Sequence, residues 1–344
     1  MKLSVLIPMF NAEEYIGNCL DSLLNQGISS NEYEILVMDD GSTDTSANIV
    51  DIYAKKHKNI FLFKESNSGE SSTRNKLAKK AKGTYIYNFD ADDYLVNHTL
   101  NTVLEKAIDK DLELLGFDTL LTNTTSDVFN NEIQIKNSDF VTCTGKDFIK
   151  KYRDMRHEVW WYIVKKSFLK ETKIKFAEHK FNADLVYTMD LFLRAHNVGY
   201  YPVAIHRYVQ TPESVVRSVD IDKRTAYFDN LYIMMVNYNN LIDSAIANKK
   251  IKDDTLIDNL KYRLDKNIFF STIKLIRTGF PNEYLKHKIA VLKHANAYPI
   301  KHFIGKEYNS LFYKMLNSTF NNEKVLYTIV WFYSIFGLRK RNSN

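Results

Sequence analysis

The residues most suited to chemistry are the run Asn88-Phe89-Asp90-Ala91-Asp92-Asp93. It follows Tyr85-Ile86-Tyr87, an apolar stretch that reads as a β-strand. Carboxylates packed this closely repel one another unless a cation or water separates them. A divalent metal resolves that conflict, because hard cations take oxygen ligands and bridge to phosphates. Taken alone, the run reads equally well as a solvated acidic turn. Two further polar clusters shift the balance: Pro8-Met9-Phe10-Asn11, and Asp39-Asp40-Gly41-Ser42-Thr43-Asp44. Each follows an apolar run, and in an open α/β sheet ligands bind beyond the carboxyl ends of the strands. There is no Gly-x-Gly-x-x-Gly or Gly-x-x-x-x-Gly-Lys, which argues against a dinucleotide or P-loop site.

The elements that must position these clusters alternate strand and helix over the first part of the chain, as βαβ units do. Leu3-Ser4-Val5-Leu6-Ile7 predicts a buried strand ending at Pro8, which cannot donate to a ladder. Asn11 is placed to cap a helix over 12–25, with Tyr15, Ile16, Leu20, Leu23 and Leu24 on one face. Ile35-Leu36-Val37-Met38 predicts a second strand covered on both faces. A helix over 45–56, a strand over 60–63, a helix over 71–81 carrying Arg74, and a strand over 85–89 follow. A helix over 99–109 and a strand over 112–117 complete the pattern. Residues 118–144 are rich in Asn, Thr, Ser and Asp and read as a hairpin excursion, with β-like pieces at 132–135 and 139–142. A helix over 184–196 and a strand over 200–208 come next. After a boundary near 218–222, long amphipathic helices over 227–247 and 255–278 are predicted.

Composition bounds the class. The chain has 344 residues, 45% hydrophobic and 26% charged, as in ordinary globular proteins, and its net charge is +6. Cys19 and Cys143 form no metal or disulfide pattern, which fits a reducing compartment. The opening residues read as a buried strand rather than a signal peptide. No apolar run reaches the length of a bilayer span, and no nucleic-acid motif occurs.

Four motifs together resemble the family-2 glycosyltransferases: Leu3-Ser4-Val5-Leu6-Ile7-Pro8-Met9-Phe10-Asn11-Ala12-Glu13-Glu14-Tyr15-Ile16, Val37-Met38-Asp39-Asp40-Gly41-Ser42-Thr43-Asp44, Gly69 with Arg74-Asn75, and Asp90-Ala91-Asp92-Asp93. The resemblance covers roughly the first 115 residues and, more thinly, the chain to about Ser218. It implies a GT-A fold, an α/β Rossmann-like mixed sheet, with a C-terminal helical appendage outside the resemblance. The implied domains are 1–220, with a nucleotide-binding half 1–117 and an acceptor half 118–220, and a helical region 221–344.

The resemblance further implies an inverting, metal-dependent transferase that takes a nucleotide-diphosphate sugar, UDP-linked or else dTDP- or GDP-linked. Asp40 would accept a hydrogen bond from the base, Pro8 and Phe10 would flank it, and Arg74 would face the diphosphate. Asn11, Asp39, Asp90 and Ala91 belong to the same donor side, and Asp92 or Asp93 would ligate Mn²⁺ or Mg²⁺. The general base falls on Asp190, with Asp184 in reserve; Met189 stands where the family has Glu. Trp160 and Trp161 would line an acceptor groove, although core packing is the commoner fate of Trp. His206, Arg207 or Arg217 would stand in for a phosphate-closing Arg whose place Val209 holds. The implied acceptor is a glycan or lipid-linked saccharide of capsular or exopolysaccharide assembly. Two other readings compete: a nucleotidyltransferase, and a degenerate transferase acting as a complex partner.

The segment 325–338 is apolar all round, and Arg339-Lys340-Arg341 follows at once. It suits either burial or a membrane interface, so the protein is expected in the cytoplasm, peripheral at the inner face of a bacterial membrane.

Overall fold

The computed structural model describes residues 1–123, 140–177, 183–211, 220–303 and 308–335. The expected β-like piece at 132–135, Arg217 and the basic run 339–341 lie outside them.

The first unit comprises Met1–Phe148 with Arg156–Ser218. Its elements begin with β1 (Leu3–Met9), α1 (Ile16–Leu24), β2 (Tyr33–Asp39), α2 (Ser46–Lys56), β3 (Ile60–Lys64), α3 (Glu70–Lys80) and β4 (Tyr85–Asn88). They continue with β5 (Tyr94–Leu95), α4 (Leu100–Asp109), β6 (Leu114–Thr122), β7 (Val141–Cys143) and α5 (Gly145–Lys151). β8 (Tyr162–Lys165), α6 (Lys166–Thr172), α7 (Asp184–Arg194) and β9 (Val198–Val209) follow. The strands form one mixed sheet in the order β3-β2-β1-β4-β8-β6-β9-β5, with β7 on β9.

Every residue of β2, and all but Pro8 of β1, is buried, as expected of parallel strands covered on both faces. β1 pairs in parallel with β2 from Leu3↔Tyr33 to Met9↔Asp39, and with β4 from Leu3↔Tyr85 to Leu6↔Asn88. The three polar clusters therefore leave the sheet at the same edge. β5 pairs antiparallel with β9 through Tyr94↔Arg207 and Leu95↔His206, which sets the acidic loop beside β9.

Several boundaries differ from the sequence reading, among them the start of the helix predicted over 227–247, which lies at Ile221 rather than Tyr227, and three in the first unit. β1 runs through Pro8 to Met9; Pro8 lies beyond the last β4 pair, where β1 is effectively an edge and needs no N–H on that side. α1 begins at Ile16 rather than Ala12, because Asn11 has φ 48° and spends its side chain on another loop. β6 continues to Thr122 beside β9, with register shifts around Asp118.

The second unit comprises Ile149–Met155 with Val219–Asn344. Its helices are α8 (Ile221–Ala247), α9 (Asp254–Arg277), α10 (Asn282–His294), α11 (Leu311–Asn321) and α12 (Glu323–Ile335). Asp220 caps α8 by accepting from Lys223 N, and Asp253 caps α9 by accepting from Leu256 N. Phe269 stacks on Phe303 at 4.4 Å within its core. Arg263 donates to the carbonyls of Arg153 and Met155 at 2.6 and 2.7 Å, tying the short excursion to α9. No described helix is long and apolar enough to cross a membrane.

Candidate active site

The loops after β1 and β2 are tied to each other. Asn11 Oδ1 accepts from Thr43 N at 2.8 Å, and Asn11 N donates to Ser42 Oγ at 2.9 Å. Ala12 N donates to Ser46 Oγ, and Glu13 accepts from Thr45 N. Asn11 is thus a bridge between loops rather than a helix cap. Asp39 accepts from Ser42 N at 3.0 Å and tightens the second turn. Asp40 is buried and accepts from Ser68 N at 2.7 Å and Gly69 N at 2.9 Å, so it fixes the loop before α3. A carboxylate has about four lone-pair sites, so these bonds leave capacity for a further donor. Phe10 projects from the β1 loop and is 52% exposed, a free ring face at the sheet's carboxyl edge.

Arg74 is the centre of the polar cluster. It is 2% exposed although it lies on a helix whose other charged residues are exposed or half-buried. One terminal nitrogen meets Asp90 Oδ1 and Glu70 Oε1, each at 2.6 Å, and the other meets Asp184 Oδ1 at 3.3 Å. Its donors in this state face three carboxylates rather than open space. Its guanidinium lies 5.6 Å from the Phe176 ring, which stacks on Tyr187 at 3.8 Å. The adjacent Asn75 donates to Phe176 O at 2.9 Å and accepts from Phe176 N at 3.0 Å. The Arg74-Asn75 pair therefore latches α3 to the segment that leads into α7.

The acidic loop after β4 gathers Asp90, Asp92 and Asp93, whose carboxylate oxygens lie within 4.8 Å of one another. Asp93 is buried; Oδ1 accepts from Val209 N at 2.9 Å, and Oδ2 lies 3.2 Å from His206 Nε2. Burial first, and then the neighbouring carboxylates, push Asp92 and Asp93 well above the usual carboxylate range. Burial holds the His206 imidazole down to about 3, so it is neutral. Such a crowd of partly desolvated oxygens fits a divalent cation, which would offset the repulsion that otherwise favours protonation. Ala91 is a buried spacer between the carboxylates of Asp90 and Asp92.

The structure separates the two carboxylates of α7. Asp184, at the first turn, joins Arg74 and Asp90. Asp190 has both oxygens held by Arg194, at 2.7 and 2.8 Å, one turn along the same helix. Six residues along a helix amount to a rotation of about 120° from the starting face, so the two cannot point to one place. Burial pushes Asp184 up to about 7, against the downward pull of Arg74.

Trp160 and Trp161 are both buried. Trp161 packs against both Phe148 and Phe192, with ring centroids at 6.0 and 5.5 Å. Trp160 stacks on His206 at 4.6 Å and 5°, and on Tyr208 at 5.4 Å. Its reach to the site is therefore indirect, through the imidazole beside Asp93. Arg207 is also buried and donates to Ala204 O at 2.6 Å on its own strand.

A sequence model of the family described as Glycosyl transferase family 2 matches residues 4–194, more than half of the chain. The chain belongs to that family. Its strands and helices follow the GT-A arrangement, with a helical C-terminal region. A poly(ribitol-phosphate) beta-glucosyltransferase of Bacillus spizizenii is 33% identical over 208 residues, 58% of this chain. The chain spans only 31% of that relative's length. The structure of S. aureus TarS 1-349 in complex with UDP aligns with TM-score 0.67 at 22% identity, covering 98% of this chain and 92% of that one. The mannosyltransferase PcManGT from Pyrobaculum calidifontis, in complex with GDP-Man and Mn²⁺, aligns with TM-score 0.53 at 15% identity, covering 98% and 84%.

Within this family-2 member, sequence reasoning missed Glu70, the third carboxylate on Arg74. Its signal was available: Glu70 and Arg74 stand four apart on a predicted helix. It also missed Glu158, whose negative charge adds to the upward push on Asp184, and which carries no local motif.

Proposed function

We propose that this chain is an inverting, metal-dependent glycosyltransferase that moves a sugar from a UDP-sugar to a hydroxyl of a glycan or lipid-linked saccharide. The proposed setting is bacterial surface-polysaccharide assembly on the inner face of the membrane. The observation that carries this reading is the bridge from Asp90 through Arg74 to Asp184, which joins a metal-type loop to an ionisable base from a distant helix.

In this reading the base of the donor lies against Phe10, with Pro8 and Asn11 shaping the loop. Asp40, with Asp39 tightening the turn, offers an acceptor to an imide N–H. Asp92 and Asp93 hold the divalent ion. When bound, that ion supplies Lewis acidity to the leaving diphosphate. Asp92 is the more open of the two, since Asp93 is buried and its Oδ1 already accepts from Val209 N. Arg74 acts by holding Asp90 and Asp184 at fixed separation.

The acceptor oxygen attacks the anomeric carbon, the carbon–oxygen bond to the diphosphate breaks, and the acceptor proton passes to Asp184. We assign the base to Asp184 rather than Asp190, because Arg194 occupies both oxygens of Asp190. A carboxyl near 7 is well matched to general-base work at neutral pH. Trp160 and His206 support Asp93 from behind, and Trp161 and Arg207 serve packing in this account.

The test is thermal stabilisation by UDP, GDP and dTDP, each with and without Mn²⁺. UDP at a hundredfold excess over its dissociation constant should stabilise by about 2.7 kcal/mol. The Mn²⁺-dependent part should vanish in Asp92→Ala. No shift with any of the three nucleotides would remove the donor-binding reading.

A further inference from the structure

Residues 301–344 carry seven Lys and Arg against two Glu, a net +5 out of +6 for the whole chain. The same stretch turns large apolar side chains outward. On α11, Leu311 is 74% exposed and Phe312 and Met315 more than 60%. At about 100° per residue these fall within about 100° of the helix surface, and the buried Phe320 lies about 180° from Leu311. On α12, Val325, Ile329 and Phe332 are all exposed and share a stripe about 60° wide. Leu326 and Val330, on another side of the same helix, are buried. The two helices are joined through Asn322 alone and pack against each other.

Exposed apolar stripes of this kind mark interaction surfaces. Their setting selects the partner. Pairing two copies through these helices would bring together two segments that each carry a net +5 in sequence. An anionic bilayer surface is complementary to both features, taking apolar side chains at its acyl boundary and basic ones at its headgroups. At 13 residues α12 reaches only about 20 Å, short of the roughly 30 Å hydrocarbon core, so it can lie in the interface but not cross it.

We propose that the outward stripes of α11 and α12 dock this protein on an anionic lipid surface. This deepens the membrane-side placement proposed above and rests on it. It places the anchor on helices of the second unit, α11 and α12.

Flotation of the full chain with vesicles tests this. Wild type should float with phosphatidylglycerol-containing vesicles and not with pure phosphatidylcholine. Raising salt from about 0.1 to 1 M, which shortens the Debye length from about 10 to 3 Å, should release it. Leu311→Glu/Phe312→Glu and Val325→Glu/Ile329→Glu should each bind about tenfold more weakly or worse, with unchanged melting by circular dichroism and an unchanged UDP shift. Should a Glu pair fail to fold, Leu311→Ser/Phe312→Ser takes its place. Wild type that stays unbound, or variants that float as well as wild type, would overturn the proposal. So would a dimer in wild type that the variants lose without any vesicle binding, since the face would then join two copies. Vesicle binding without any UDP shift would instead sink the transferase reading and leave the docking face standing.

Discussion

Asp184 sits between opposing influences. Burial raises its pKa first and most, Arg74 draws it down, and Glu70, Asp90 and Glu158 raise it again, leaving it near 7. A base must be ionised to accept a proton, so turnover should fall as pH drops through about 7 and level off above it. Removing the Arg74 cation in Arg74→Met takes away the main downward influence, so the acid limb should move to higher pH. The same change strands three carboxylates on a buried site. Losing one partner of a buried ion pair costs about 3–5 kcal/mol, and the lower end applies here because the carboxylates are partly exposed. Urea unfolding of Arg74→Met at neutral pH measures the cost, and a pH–rate profile of donor turnover measures the limb.

At the scale of elements, the site depends on loops held by backbone donors. Gly69 opens α3 at φ 87° and ψ 152°, a conformation close to one that only glycine adopts readily. Its N–H and that of Ser68 are fixed by Asp40. Gly69→Ala should cost about 1–3 kcal/mol in urea unfolding and weaken UDP binding, because it disturbs the helix that carries Arg74. The parallel strands of the first unit were legible in sequence because buried parallel strands are apolar runs, and their ends located the polar clusters. Asp90, Asp92 and Asp93 were legible for the same reason, as acid at a strand end. The direction of the α7 carboxylates was not legible. Asp184 and Asp190 both read as acid on one helix, and what tells them apart is a contact of Asp184 with Arg74, 110 residues away in sequence. The fate of Trp160 and Trp161 was equally hidden, since aromatic side chains serve core and groove alike.

At the scale of the whole molecule, two units each bury their own core, and charge is divided unevenly between the chain's ends. Donor chemistry is assigned to the first unit and surface docking to the second. Hydrogen exchange with UDP and Mn²⁺ should therefore show added protection in the loops after β1, β2 and β4, and at the start of α3. It should show no change in α11 and α12. Ligand protection concentrated in α11 and α12 would mean the nucleotide binds elsewhere.

The most direct test of the central claim compares Asp184→Asn with Asp190→Asn, reading UDP release from a UDP-sugar alongside UDP-induced stabilisation. A positioned general base contributes about 10²–10⁴-fold, so Asp184→Asn should lose at least about a hundredfold in rate with its UDP shift intact. Asp190→Asn should stay within about threefold of wild type, since it loses only a pair on one helix. An active Asp184→Asn, or a collapse confined to Asp190→Asn, would contradict the assignment.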